Sequence, residues 1–230
     1  MNLQFSVIIP TRNREQFLKD AVASVLSQQR VSFELVIVND GDPLSITFSD
    51  PRIRVVDNHK RTAVPARNFG VAEARGQFIA FLDDDDFFID PHHLAKAAHA
   101  FDQHTDFYFA NGEMRFADGS VKLFDRAASP ASLEKDNTIL ISAVSYRRSL
   151  HDKLGVFDEA LPYYWDWDWY LRVARGGYKL HHQTHPAVAI RVHQNNMSGT
   201  NEGARRANLD ALQRKHNLAV LPLKNHTDFV

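Results

Sequence analysis

Cysteine is missing altogether from this chain of 230 residues, which excludes disulfides, thiolate nucleophiles and cysteine-bound metals together and fits a reducing compartment. Long apolar runs are missing too. Even Phe78 to Leu82 is cut short by four consecutive aspartates, far below the roughly eighteen residues that cross a bilayer. Met1 to Pro10 leads straight into a strand-like pattern, without the basic segment, apolar stretch and cleavage site of a secretory signal. Charge of one sign is lacking as well: 27 Lys and Arg against 28 Asp and Glu leave a net charge of −1 and no electrostatic case for nucleic acid. These absences lead us to expect a cytoplasmic protein with no transmembrane segment, touching the inner face of a membrane only peripherally. What is present is a hydrophobic share of 44%, enough to fill the core of one α/β domain over residues 1–230.

The first half alternates short apolar runs with helical patterns, the signature of a parallel sheet covered by helices on both faces. Phe5 to Ile9, Glu34 to Val38, Ile53 to Val56 and Gln77 to Leu82 read as strands. Phe17, Ala21, Val22, Val25 and Leu26 recur at helical spacing, with Asn13 as a candidate cap, and a second helix is expected over Pro65 to Ala74. A third should run from Pro91 to about His104, followed by a strand at Asp106 to Ala110. There the rhythm changes. Met114 to Ala117 and Val121 to Phe124 flank Asp118-Gly119, a hairpin signal, so a small antiparallel element is expected in the C-terminal half. Asn137 to Tyr146 reads as a return to the main sheet, Asp166 to Ala174 as a helix, Ala187 to Val192 as a late strand and Ala204 to His216 as a polar surface helix. Leu221 to Val230 carries no clear signal.

Ligands of open α/β sheets bind beyond the carboxyl ends of the strands. Here those ends are Pro10-Thr11-Arg12-Asn13-Arg14, Asn39-Asp40-Gly41-Asp42 and Asp83-Asp84-Asp85-Asp86. Turn chemistry alone accounts for Asn-Asp-Gly. The four aspartates need more, because two carboxylates 4 Å apart repel by about 4 kcal/mol at an effective dielectric near 20. A partly buried cluster therefore demands protonation or a cation, and its hard oxygens select Mg²⁺ or Mn²⁺. On an extended chain Asp83 and Asp85 point the same way and can share one ion, while Asp84 faces elsewhere. Asp86 is placed to help start the following helix.

Taken in order, several segments resemble the family 2 glycosyltransferases, which have the nucleotide-sugar-transferase fold called GT-A. The resemblance is carried by Phe5-Ser-Val-Ile-Ile-Pro-Thr-Arg-Asn13, Glu34-Leu-Val-Ile-Val-Asn-Asp-Gly41, the stretch from Ala66 to Asp86, Trp165-Asp-Trp-Asp-Trp-Tyr-Leu-Arg172 and Arg191 to Ser198. It implies a Rossmann-like, mostly parallel sheet flanked by helices. Residues 1 to about 110 would hold the nucleotide sugar, and about 111 to 230 the acceptor and the catalytic base. By the same resemblance Pro10, Thr11 and Asp40 hold the nucleoside, Asp40 accepting from a base imide, which favours uridine. Arg67 lies near the base or diphosphate. Asp83, Asp84 and Asp85 form the Asp-any-Asp site, with Asp85 the main ligand of Mn²⁺ or Mg²⁺, Asp83 beside it, Asp83 and Asp84 near the ribose or metal-bound water, and His193 a further ligand.

Asp166 matches the family's general base, which takes the proton of the acceptor hydroxyl and so implies inversion. Asp168 either caps the helix or positions the acceptor. Trp165 and Trp167 offer aromatic faces to sugar rings. The implied reaction moves a hexosyl or hexosaminyl group from a UDP-sugar to a glycan or glycolipid, in surface polysaccharide assembly by family analogy. Two other readings compete. A sugar-nucleotide pyrophosphorylase wants a glycine-rich basic loop after the first strand, but Pro10 to Arg14 contains no glycine. An inactive nucleotide-sugar-binding protein needs no base.

Overall fold

The early apolar runs carry branched and aromatic residues at both alternations, so neither face of their sheet can be left wet. In the computed structural model, which describes residues 3–193 and 201–230, β1 (Phe5–Thr11), β2 (Phe33–Asn39), β3 (Ile53–Asp57) and β4 (Phe78–Phe81) pair in parallel in the order β3-β2-β1-β4. Alternate side chains go to opposite layers. Val7, Ile9, Leu35, Ile37 and Ala80 pack with α1 (Glu15–Leu26) and α3 (His93–Asp102), while Ile8, Val36, Val38, Ile79 and Phe81 pack with α2 (Ala63–Glu73) and α6 (Trp165–Arg175). Gly70 lets α2 lie close on the sheet, since a Cβ there would collide with Ile8 and Val38.

Beyond β4 the sheet continues as β8 (Val144–Arg147), β6 (Phe107–Phe116), β9 (Leu180–Val192) and β5 (Phe87–Phe88), with β7 (Val121–Phe124) paired to β6. β8 is antiparallel to both β4 and β6, β9 is parallel to β6, and β5 and β7 are antiparallel to their partners. Among the described residues, then, β1, β2, β3, β4, β6 and β9 run one way, and β5, β7 and β8 the other. The sheet is mostly parallel with antiparallel additions, the expected class.

The β6–β7 hairpin turns at Asp118-Gly119, where Gly119 has φ +85°, a conformation that suits glycine. The two expected strands at Asp106 to Ala110 and Met114 to Ala117 are in fact one. The polar Asn111-Gly112 interrupts the apolar pattern, and the chain absorbs it as a register shift between Ala110 and Gly112 against β9. Asn111 is satisfied there, its amide donating to the Thr184 carbonyl (2.8 Å) and its side-chain oxygen meeting His182 Nε2 (2.6 Å). β9 starts seven residues earlier than Ala187, because the polar run His181 to His185 hides its beginning.

Asn13 does not cap α1. It sits at φ 57°, its Oδ1 accepts from the Asp42 amide (2.8 Å), and Arg14 occupies the N-cap. The late helix, α7 (Glu202–His216), is not merely a surface element, since it buries Leu209 and Leu212 against the α6 layer. Two short helices, α4 (Pro130–Leu133) and α5 (Leu150–Leu154), complete the fold. No helix among the described residues is long and apolar enough to cross a membrane.

Candidate active site

The carboxyl ends of β1, β2 and β4 open into a cavity of about 550 Å³, closed on the far side by the start of α6 and by the C-terminal segment. Pro10, Thr11, Asp40, Arg67, Asp83, Asp84, Asp85, Trp165, Asp166 and Trp167 all line it. One wall carries the acids. Thr11 Oγ1 donates to Asp84 Oδ2 (2.7 Å), Arg14 Nη1 donates to Asp85 Oδ2 (2.8 Å) and Asp84 Oδ1 (3.3 Å), and Arg67 pairs with Asp83. Burial, and secondarily the Asp85 charge, push the Asp84 carboxyl up to about 6 against the opposing Thr11 and Arg14 contacts.

Oxygens of Asp83, Asp85 and Asp86 all lie within 4.8 Å of one another. Such a set of hard carboxylate donors suits a Mg²⁺- or Mn²⁺-sized ion, which would relieve their repulsion. Asp86 therefore belongs to the site and does not start α3, whose N-cap is His92. The Asp86 carboxylate accepts from Ser142 Oγ (2.5 Å) and from the Arg191 amide (3.1 Å). Burial, then Asp85 and Asp83, raise its pKa well above the carboxylate range. His193 stands outside this trio, with Nε2 3.0 Å from Asp85 Oδ2 and its ring stacked on Phe17. The rest of its motif, Gln194 to Ser198, lies outside the described residues.

At the end of β2, Asp40 Oδ1 accepts from Asn58 Nδ2 (3.0 Å) and the Arg61 amide (2.7 Å), bonds that leave Oδ2 uninvolved. Asn39 shapes the turn as both donor and acceptor: its amide donates to Asp57 (3.0 Å), and its oxygen accepts from Gly41 N–H (3.2 Å).

The opposite wall is apolar and aromatic. Arg67 bridges the two walls, its guanidinium 4.6 Å from the Trp165 ring centroid. Trp165 also packs on Phe81 and Phe157, and Trp167 Nε1 donates to the Leu133 carbonyl (2.7 Å). Asp166, between these indoles in sequence, is buried and accepts from Asn137 Nδ2 (2.9 Å). Burial raises its pKa to about 6, the Asn137 bond only partly opposing the shift. Asp168 lies elsewhere. It is fully buried outside the cavity, meeting Lys215 Nζ and His216 Nε2 at 2.7 Å and Arg172 Nε at 2.9 Å, so the acceptor contact expected of it does not hold. Its partners on α7 exclude it from that role.

Comparison with known proteins now decides the family, for residues 6–193 match the model of "Glycosyl transferase family 2". The chain belongs to glycosyltransferase family 2. A Bacillus subtilis relative, the uncharacterized glycosyltransferase YwdF, is 34% identical over 241 residues, covering 97% of this chain and 88% of the relative. An Escherichia coli relative, the UDP-Glc:alpha-D-GlcNAc-diphosphoundecaprenol beta-1,3-glucosyltransferase WfgD, is 37% identical over 90 residues, covering 36% of each chain. The fold of this glycosyltransferase is similar to that of S. aureus TarS 1-349 in complex with UDP-GlcNAc, with TM-score 0.74, 17% identity, and coverage of 95% of this chain and 68% of that one. The Pyrobaculum calidifontis mannosyltransferase PcManGT, in complex with GDP-Man and Mn²⁺, gives TM-score 0.59 and 16% identity over 94% of this chain and 62% of that one. The GT-A fold expected from the motif order is the fold observed.

Sequence reasoning missed several members of the glycosyltransferase site. Arg14 and Asp86 sat inside motifs already picked out, and the charge of each was the available signal. Asn137 and Ser142 come from a stretch whose apolar pattern hides their polar task. The C-terminal segment carries no motif, yet Lys224, Asn225, His226 and Phe229 line the cavity. It is pinned by Arg206 on the Leu221 carbonyl (2.8 Å), by Arg126 on the Phe229 carbonyl and by Phe124 against His226 and Phe229.

Proposed function

We propose that this enzyme moves a hexosyl or hexosaminyl group from a UDP-sugar to a hydroxyl of a glycan or glycolipid acceptor, with inversion. One observation carries the reading: a single cavity has an acidic wall at the strand ends and, on another wall, one buried carboxylate whose pKa is raised to about 6. On the donor side Asp40 Oδ2 accepts from the uracil imide, Pro10 and Thr11 border the nucleoside, Asp84 lies by the ribose and Arg67 steadies Asp83. When bound, Mn²⁺ or Mg²⁺ held by Asp85 and Asp83, with Asp86 and His193 at hand, offsets charge on the departing diphosphate. On the acceptor side Trp165 and Trp167 border the sugar ring, and Asp166 takes the hydroxyl proton as its oxygen attacks the anomeric carbon. A base facing the carbon from the side away from the diphosphate gives inversion.

In this division residues 1–110 serve the donor and 111–230 the acceptor and base, with the protein cytoplasmic at the inner membrane face. The UDP-Glc in the name of WfgD and the UDP-GlcNAc in the TarS complex support uridine, and the diphosphoundecaprenol in the name of WfgD supports a lipid-linked acceptor. Calorimetry with nucleoside diphosphates and Mn²⁺ tests the donor half. UDP is expected to bind, Asp40→Ala to weaken it by roughly tenfold, the loss of one charge-assisted hydrogen bond, and chelator or Asp85→Ala to abolish turnover. Preference for GDP, the nucleotide of the PcManGT complex, would overturn the base assignment.

A further inference from the structure

The carboxylate expected to hold the cation is already engaged. Asp85 Oδ2 accepts from Arg14 Nη1 at 2.8 Å and lies 3.0 Å from His193 Nε2. An sp² oxygen has two lone-pair directions, and two nitrogen partners on Oδ2 leave little room for a divalent ion at that atom. Repulsion adds to the competition, since a guanidinium and a metal ion cannot share one oxygen cheaply. Arg14 is also within reach of an arriving ligand. Its side chain is 33% exposed, it stands at the N-cap of α1, and it lines the same cavity as Asp40 and Asp166.

We propose that Arg14 is a built-in surrogate cation: it holds Asp84 and Asp85 together, gives up Asp85 Oδ2 when the donor arrives, and turns its charge toward the diphosphate. Metal binding is thereby coupled to nucleotide binding. The metal alone has to displace Arg14 into solvent at a loss, whereas a metal arriving with a diphosphate gives the displaced guanidinium a new anionic partner. Such coupling is reciprocal, so the metal tightens nucleotide binding by the factor with which nucleotide tightens metal binding. Burial works against the charge of Arg14, but Asp84 and Asp85 outweigh it and raise the pKa, so the side chain stays a cation throughout.

The inference rests on the donor reading above, and its test separates the two. Mn²⁺ alone is titrated into wild type, Arg14→Met and Arg14→Lys by electron paramagnetic resonance of the free ion, and UDP is then titrated with and without Mn²⁺. Arg14→Met is expected to bind Mn²⁺ alone at least about fivefold tighter than wild type and to lose most of the metal–nucleotide coupling. Arg14→Lys, which keeps the charge, is expected to stay within about twofold of wild type. Equal or weaker binding of Mn²⁺ alone by Arg14→Met would overturn the surrogate role, and so would a gain of equal size in Arg14→Lys. If wild type binds no UDP with Mn²⁺ present, the donor reading fails, and the Mn²⁺-alone comparison still judges Arg14.

Discussion

Asp166 and Asp168 stand two residues apart on α6, both buried, and their surroundings drive their acidities in opposite directions. Two positions on a helix differ by about 200°, so one carboxylate faces the cavity and the other faces α7. Asp166 accepts from Asn137 and from backbone N–H groups and lies near the Arg67 charge, yet burial outweighs them all and lifts it to about 6. Asp168 is desolvated as well, but His216, Lys215 and Arg172 together outweigh that burial and lower its pKa. A carboxylate tied to three basic side chains is poor at taking a proton and good at joining helices. One whose burial outweighs its donors has the opposite aptitude.

The largest effect that sharpens this contrast is on stability. Asp168→Ala leaves Arg172, Lys215 and His216 without their shared counter-charge, and breaking a fully buried ion cluster costs about 3–5 kcal/mol, of which half-exposed Lys215, still paired with Asp158, contributes the least. Denaturant unfolding should register that loss. Next in size is turnover: Asp166→Asn should lower it by about 10²-fold or more with nucleotide affinity unchanged, while Asp168→Asn retains most of the rate. Loss of transfer in Asp168→Asn with retention in Asp166→Asn would reverse the assignment of roles.

A smaller effect concerns the stability of Asp166 itself. Its folded pKa of about 6 lies above the ordinary value of 3.8, so the folded state binds the extra proton between those limits and stability from this group falls as pH rises through them. Above about pH 6 the cost is fully present, about 3 kcal/mol; below about pH 4 it vanishes. Asp166→Asn should therefore melt higher than wild type at pH 7.5 and equally at pH 4. Smallest of all, if Asp166 is the base it must be ionised to act, so transfer should rise with pH near 6, where Asp84 also titrates, and Asn137→Ala should move only the Asp166 part of that rise upward, by up to about one unit, as the carboxylate loses its donor. The pH–rate profile of Asp168→Asn should keep the wild-type inflection.

The parallel half of the fold was readable because its strands are apolar on both faces and end in polar turns, a pattern local to each run. The Asp83-to-Asp85 pairing was readable for the same reason: neighbours in sequence stay neighbours in space. What lay hidden depends on distant partners. Ser142 meets Asp86 from 56 residues away and Asn137 meets Asp166 from 29 away, and neither polar residue stands out in a stretch that otherwise reads as core. β9 and the single long β6 were obscured by polar runs that the structure satisfies with side-chain bonds at Asn111. The family match ends at residue 193, so the wall built by Leu221 to Val230 has no motif to announce it.

The most direct test of one base acting across the cavity from the acidic wall is the configuration of the sugar at the moment of transfer. Proton NMR of early time points, with acceptor or with water in its place, reads the anomer before mutarotation blurs it. The product is expected to carry the anomeric configuration opposite to that of the donor, and wild-type product that retains the donor configuration would contradict the account.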